Sequence, residues 1–316
     1  VADTGWLWAV FTVIAAAAQT VRNAAQRELT GKLGTVGATH VRFLFGCPFA
    51  LVFLAAILTT GAALPRPGLA FVPWLLDGAF AQIAATALML AAMGERSFVV
   101  TIAYIKTEPV QVALFGMLFL GDKVTPMMAA AVLIGTTGVI VMSVKGGAPK
   151  AGEGPQRGMT LLSSVLRPFL SGRATLLGLS AGACFALSAV GYRGAILSLH
   201  DPNYVMAATF TMTAGLVLQS VLLSAWLAVV DRAVLVAIAR AWRPSLFAGF
   251  MGALASQFWF LAFALATAAS VRTLALVEVL FAQGISRFVF KQPVSPRETI
   301  GIIVIVIGVV LLLWAQ

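Results

Sequence analysis

Charge is so sparse along this chain that apolar runs of about twenty residues follow one another almost without interruption, and this decides the fold class. A helix of about 20 apolar residues crosses the ~30 Å hydrocarbon core of a bilayer. Charges, prolines and glycines mark off ten such runs, at about 6–26, 37–59, 71–93, 97–120, 125–144, 175–198, 203–228, 245–266, 269–290 and 298–315. Charged residues make up 10% of the 316 positions and hydrophobic ones 60%, too little polarity to cover a water-facing globule. A mean hydropathy of +0.99 agrees. Strands of a β-barrel would alternate polar and apolar residues, whereas these runs are continuously apolar. The expected fold is an all-α integral membrane protein with ten transmembrane helices. The first run has neither a basic leader nor a clear small-residue cleavage site, so it reads as span 1 and not as a removable signal.

Residues 145–174 break the pattern: KGGAPKAGEGPQRG is rich in Gly, Pro and Lys/Arg and predicts a flexible, solvated linker. Its end, MTLLSSVLRPFL, predicts an interfacial helix or the entry to span 6. The linker divides the chain into 1–144 and 175–316, with five runs in each. The halves match weakly but in order. At a shift of 170, Glu108 falls on Glu278, Pro126 on Pro296 and Gly138 on Gly308; at 171, Arg22 falls on Arg193, Pro73 on Pro244 and Gly78 on Gly249. An odd number of spans per copy requires two inverted five-helix repeats, an arrangement typical of secondary transporters.

The net charge of +10 fits basic loops against anionic lipid better than nucleic acid. Thirteen Lys/Arg lie in the connections after spans 1, 3, 5, 7 and 9, against two in the others. The positive-inside rule then puts the linker in the cytoplasm and both termini outside. Cys47 and Cys184 form no CxxC or Cys/His cluster, so neither a disulfide framework nor a metal site is expected, and no cofactor. The chain shows no P-loop, HExxH or GxSxG, so an enzyme is not expected.

The segment IKTEPVQVALFGMLFLGDKVTP, followed by AAAVLIGTTGVIVM, resembles the fourth and fifth helices of an EamA-type repeat of the drug/metabolite transporter superfamily. The triplet is Thr107-Glu108-Pro109, and the turn is Gly121-Asp122-Lys123-Val124-Thr125 with Asp in place of Glu. In the second half these places hold Val277-Glu278-Val279 and Lys291-Gln292-Pro293-Val294-Ser295, without the Pro and the Gly-acid pair. The resemblance implies a transporter with a central cavity lined mainly by spans 3, 4, 8 and 9, among relatives that include YddG-type exporters of aromatic and other amino acids. It also implies both termini in the cytosol, opposite to the charge distribution.

Polar groups inside spans are costly, so each is a candidate for function. Thr101, Tyr104, Glu108, Gln111 and Phe115 recur at steps of three and four and predict one face of span 4, suited to an amine-bearing or aromatic solute. Glu108 there either contacts substrate, takes a proton or ties the fold together, and its recurrence as Glu278 favours a shared structural or proton-linked role. Lys106 lies nearly opposite and faces another helix or snorkels. Span 3 adds Gln82, Thr86 and Met89. Span 8 adds Ser256, Gln257 and Trp259, with Gln257 opposite Thr86 at a shift of 171. Tyr104 and Trp259 suggest an aromatic wall. Span 9 places Arg272, Gln283, Ser286 and Arg287 on one side, the two arginines near its ends, where snorkelling is cheaper than carboxylate binding. Gln19, Arg22, Asn23 and Gln26 stripe the end of span 1; Gln19 and Arg22, with Arg272, are gate candidates. His40 and Arg42 read as interfacial.

The leading expectation is a secondary transporter exporting small metabolites, foremost aromatic or neutral amino acids, across the inner membrane by alternating access. The alternative is an importer or exchanger of a cationic, quaternary-ammonium or drug-like solute held by Tyr104, Trp259 and Glu108. A remote third is an intramembrane lipid-handling protein. Expected partners are a small-molecule solute and the bilayer, with monomer and homodimer both open.

Overall fold

The computed structural model describes residues 4–95, 101, 104–143, 173–288 and 296–315. All of the linker except its last two residues, including MTLLSSVLRPFL, lies outside this range, as does the turn Lys291–Ser295. Helices α1 (Leu7–Leu44), α2 (Cys47–Leu58), α3 (Phe71–Glu95), α4 (Glu108–Phe115) and α5 (Pro126–Ser143) form the first half. The second half contains α6 (Arg173–Ser198), α7 (Tyr204–Val230), α8 (Arg232–Arg240), α9 (Trp242–Leu265), α10 (Ala268–Leu274), α11 (Val277–Phe288) and α12 (Pro296–Trp314). Among the described residues, five helical stretches are long and apolar enough to cross a membrane, the first of them the two-span stretch Leu7–Leu58; shorter apolar helices cover Glu108–Leu120, Pro126–Val141 and Thr299–Trp314.

Span 1 is α1 as far as Gly34, where φ 69 and ψ 175 interrupt the helix. Glycine, with no Cβ, accepts this turn without strain. The rest of α1 and α2 make a kinked span 2, and α3 is span 3. Spans 5, 6, 7, 8 and 10 are α5, α6, α7, α9 and α12.

Spans 4 and 9 depart from the continuous helices expected of them. In span 4 a turn at Lys106-Thr107 precedes α4, whose first turn carries Pro109. Proline has no N–H to give the carbonyl one turn back, so the helix cannot run through this point unbroken. The span ends in a π turn, Gly116–Leu120, closed by Gly121 at φ 68. Span 9 breaks at the matching place, Ala275-Leu276, between α10 and α11, although no proline stands there.

The connection after span 7 holds an unforeseen helix, α8. Asp231 caps it by accepting from the Ala233 N–H at 3.1 Å. Ile238 is buried, and a Cβ on Gly37 of α1 would come within 3.1 Å of Val234 Cγ1, so the apolar side of α8 rests on the start of span 2. Basic ends with one apolar face suit a helix lying at the membrane surface.

Helix pairing follows a two-fold rule. Span 3 packs on span 6 and span 8 on span 1; span 4 touches span 6 and span 9 touches span 1; spans 2 and 7, and 5 and 10, pair with each other. Exchanging the halves maps this set onto itself. The span 5–10 crossing explains the repeated glycine: a Cβ on Gly138 would lie 2.7 Å from the Ile305 nitrogen, and one on Gly308 2.6 Å from the Gly135 nitrogen. Small residues let two backbones meet this closely. Large apolar side chains such as Leu51, Phe80, Leu133, Val221 and Ile303 face outward, while most polar groups within the spans face the interhelical interior.

Candidate functional site

The two helix breaks place equivalent carboxylates at the starts of half-helices, Glu108 in the first turn of α4 and Glu278 in that of α11. The unpaired N–H groups of a helix start favour negative charge. Each carboxylate then pairs with a cation from the opposite half. Lys106 Nζ is 2.6 Å from Glu278 Oε2, and Arg272 Nε is 3.1 Å from Glu108 Oε1, all four side chains being at most 6% exposed. The pairs differ in support. Glu278 also accepts from Gln19 Nε2 at 3.0 Å and Asn23 Nδ2 at 3.2 Å. Arg272 Nε and Glu108 Oε1 are in contact but not aligned, and neither atom has a hydrogen bond among the described residues.

Around these pairs lie two adjoining narrow cavities, both lined by Gln19, Phe185 and Arg272 and each with room for roughly one water molecule. Arg22, Asn23, Lys106, Glu108 and Glu278 line one. Arg42, Gln82, Tyr192, Ser256, Trp259 and Phe263 line the other. The Arg272 guanidinium sits 4.5 Å from the Trp259 ring centroid, a cation–π contact. Trp259 Nε1 donates to Gln19 Oε1 at 3.0 Å, so Gln19 links the indole to Glu278. Arg42 Nη1 donates to Thr86 Oγ1 at 2.9 Å, and Gln82 Oε1 accepts from Gln219 Nε2 at 3.1 Å and from Tyr192 at 3.4 Å. The chamber thus holds four basic side chains, Arg22, Arg42, Lys106 and Arg272, and two carboxylates.

Of the residues singled out in the sequence, Gln19, Arg22, Gln82, Glu108, Ser256, Trp259, Arg272 and Glu278 line these cavities, and Thr86 stands behind Arg42. Four others lie elsewhere. Tyr104 packs against α6, where a Cβ on Gly178 would meet the Tyr104 Cβ at 2.6 Å, so it makes no aromatic wall with Trp259. Gln111 is half-buried near Gly182 of α6. Gln257 donates to Thr209 Oγ1 of α7 at 2.7 Å. Gln283 lies half-buried in α11 and lines neither cavity. The single face drawn through span 4 divides: Tyr104 and Gln111 both turn toward α6, at Gly178 and Gly182, while Glu108 faces the cavity.

Three basic or imidazole groups lie deeper than their places near span ends suggest. Arg272 does not snorkel; it is buried on Glu108. Arg42 is buried in the chamber, and His40 is buried with its Nε2 2.9 Å from Ser224 Oγ. Spans 1, 2 and 6 therefore join spans 3, 4, 8 and 9 in lining the centre. Arg42 lies only five residues into the run 37–59, but spans 1, 3 and 8 cover it there, and nothing local in the sequence announces that cover. No group of His, Cys, Asp or Glu among the described residues could hold a metal ion.

The sequence profile of the EamA-like transporter family matches residues 4–144 and again 172–314. No curated protein sequence matches the chain. Solved structures do: one crystal structure aligns with a TM-score of 0.65 at 13% identity, covering 98% of this chain and 96% of that one. At that identity the likeness speaks for the fold alone.

Proposed function

Because the chain belongs to the EamA-like transporter family, and is therefore a multi-pass membrane transporter and not an enzyme, we propose that it exports small metabolites, amino acids foremost, across the cell inner membrane. The halves 1–144 and 175–316, joined by the linker 145–174, act as the two inverted units of an alternating-access cycle. The observation that carries this reading is the pair of ion bridges crossing between spans 4 and 9. An amino acid offers a carboxylate and an ammonium group, and the Arg272–Glu108 bridge offers a partner for each. A solute entering there replaces one internal ion pair by two external ones and relieves the bridge that holds the halves together. The cavities are too narrow for an amino acid, so the form described is a closed one that has to open before solute enters.

Trp259, Phe260 and Phe263 form an apolar wall beside Arg272 and suit the aromatic or neutral side chains handled by YddG-type exporters. A quaternary-ammonium solute is a poorer match. The Trp259 face it would need is covered by Arg272, and basic groups outnumber carboxylates in the chamber.

Proteoliposomes loaded with a labelled amino-acid mixture test the reading. Saturable release of one or more amino acids, weakened in Arg272→Gln, is expected. No release of any amino acid together with saturable movement of choline overturns it.

A further inference from the structure

The chamber's charges do not balance. Each of its two carboxylates is already bridged by Lys106 or Arg272, which leaves Arg22 and Arg42 with no ion bridge of their own among the described residues, Glu278 attracting Arg22 only from beyond contact. Both are buried, at 1% and 2% exposure. Arg22 Nη2 donates to the neutral Asn23 Oδ1 at 2.6 Å, and Arg42 Nη1 to the neutral Thr86 Oγ1 at 2.9 Å. Arg22 Nε and Nη1 and Arg42 Nε have no acceptor among the described residues. The two side chains run side by side across Gly252 of α9, where a Cβ would come 3.3 Å from Arg22 Cδ and 3.5 Å from Arg42 Cγ. Arg22, Arg42 and Arg272 also lie near enough to repel one another. Keeping such groups charged away from water is expensive unless an opposite charge with acceptors joins them.

The repeat supplies an internal control. Arg193 occupies in span 6 the place that Arg22 occupies in span 1. Arg193 has an acid and two carbonyls within the fold: Nη2 lies 3.6 Å from Asp122 Oδ1, and Nη1 donates to the Phe263 carbonyl at 2.8 Å and to that of Ala266, leaving its Nε without a hydrogen bond among the described residues. A shift of 170 carries Asp122 onto Gln292, so the second half encodes no acid at the position that would serve Arg22. The arginine is common to both halves, and the partner that makes it structural is present for only one.

Resting on the transporter reading, we infer that Arg22 and Arg42 form an oxyanion site in the chamber, and that the preferred solutes carry net negative charge, as carboxylate or phosphate. A guanidinium fork presents parallel N–H donors at the spacing of carboxylate or phosphate oxygens, and the two adjoining cavities are lined by one such fork each, Arg22 in one and Arg42 in the other. An oxyanion between them supplies the missing charge and the missing acceptors together. With Glu108 and Arg272 beside it to take the ammonium and carboxylate common to all amino acids, the oxyanion site narrows the preference from the neutral side chains that the Trp259 wall alone would suit to acidic ones.

Equilibrium binding to the full-length protein in detergent tests this, with L-glutamate, succinate, inorganic phosphate and L-leucine as probes. L-Glutamate is expected to bind more tightly than L-leucine. Arg22→Gln and Arg42→Gln should each weaken glutamate binding by about tenfold to a hundredfold, the size of a lost charge-assisted contact. Arg42→Lys, which keeps the charge but not the fork, should recover part of the loss. Size-exclusion profiles establish that the variants fold; if they do not, the wild-type order of affinities decides. Equal binding of leucine and glutamate, with neither succinate nor phosphate bound, overturns the oxyanion site and leaves amino-acid transport standing. Arginine-dependent binding of succinate or phosphate without movement of any amino acid upholds the site, removes the amino-acid reading and tells the two oxyanion chemistries apart.

Discussion

Glu278→Gln removes a charge with little change of shape, at a carboxylate that holds three donors from two other spans. Lys106 Nζ at 2.6 Å is the strongest of them, and both side chains are at most 4% exposed, so solvent screening gives little discount. At an effective dielectric of about 20, charges 2.6 Å apart attract by roughly 6 kcal/mol before desolvation is counted. The desolvation already incurred by both ions offsets most of this in the intact protein. It does not when one partner is neutralised, because Lys106 then stays buried with no counter-charge. Breaking a buried pair from one side costs about 3–5 kcal/mol, and Glu278→Gln is expected to destabilise by that amount. Lys106→Met is expected to cost less, since Gln19 and Asn23 still donate to Glu278 and Arg22 lies near. The double variant Lys106→Met/Glu278→Gln then buries no orphan cation and should recover about 2 kcal/mol or more relative to Glu278→Gln. SDS-titrated unfolding in mixed micelles measures all three. Additive costs, with no recovery in the double variant, would refute the argument that Lys106 depends on Glu278.

Three further outcomes are expected. Glu108→Gln should abolish accumulation driven by a pH gradient while solute exchange persists; a folded variant with unchanged gradient dependence in proteoliposomes refutes a proton-linked role for Glu108. Gly308→Ala should destabilise by about 1–3 kcal/mol because its Cβ meets the Gly135 backbone, whereas Gly31→Ala, in open space on α1, should be neutral or stabilising by up to about 1 kcal/mol, both read by the same unfolding titration. Trp259→Phe should weaken substrate affinity severalfold by losing the N–H donated to Gln19, and Trp259→Ala more by also uncovering Arg272; equal affinities for both variants and wild type would remove Trp259 from the site.

What was legible in the sequence was whatever depends on composition and spacing. Long uncharged runs are a direct consequence of the bilayer's thickness, and the span pattern is recovered in the fold except where helices break. The match of Glu108 with Glu278 pointed to a role common to both halves, and each begins a half-helix. Pairwise chemistry was not legible, because Lys106 and Glu278 stand 172 residues apart and nothing local announces their meeting. Helical spacing puts Tyr104, Glu108 and Gln111 on one face, but that face is shared between two neighbours: Tyr104 and Gln111 meet α6 while Glu108 meets Arg272, and spacing alone does not say where one neighbour ends and the next begins. Arg272 and Arg42 were judged by distance from a span end, which underestimates burial where another span covers that end.

The two halves are equivalent in architecture but not in charge, and this bears on how the interface can open. Helix pairings survive exchange of the halves, as do the carboxylates Glu108 and Glu278. The cations do not: at a shift of 170, Lys106 falls on Leu276 and Arg272 on Ile102, so each half supplies its basic group from a different place. The two bridges are therefore unequal. Lys106–Glu278 is reinforced by Gln19 and Asn23 from span 1, tying spans 1, 4 and 9 into one charged knot. Arg272–Glu108 has no aligned hydrogen bond of its own, and its arginine can fall back on the Trp259 ring when the carboxylate leaves. Separating the second bridge leaves its cation on the Trp259 ring, whereas separating the first leaves Lys106 with no such fallback among the described residues. Movement of the halves should then begin at Glu108 and leave Glu278 as the hinge-side contact, which places the carboxylate freest to change partners next to the aromatic wall and the two arginines that have no ion bridge of their own.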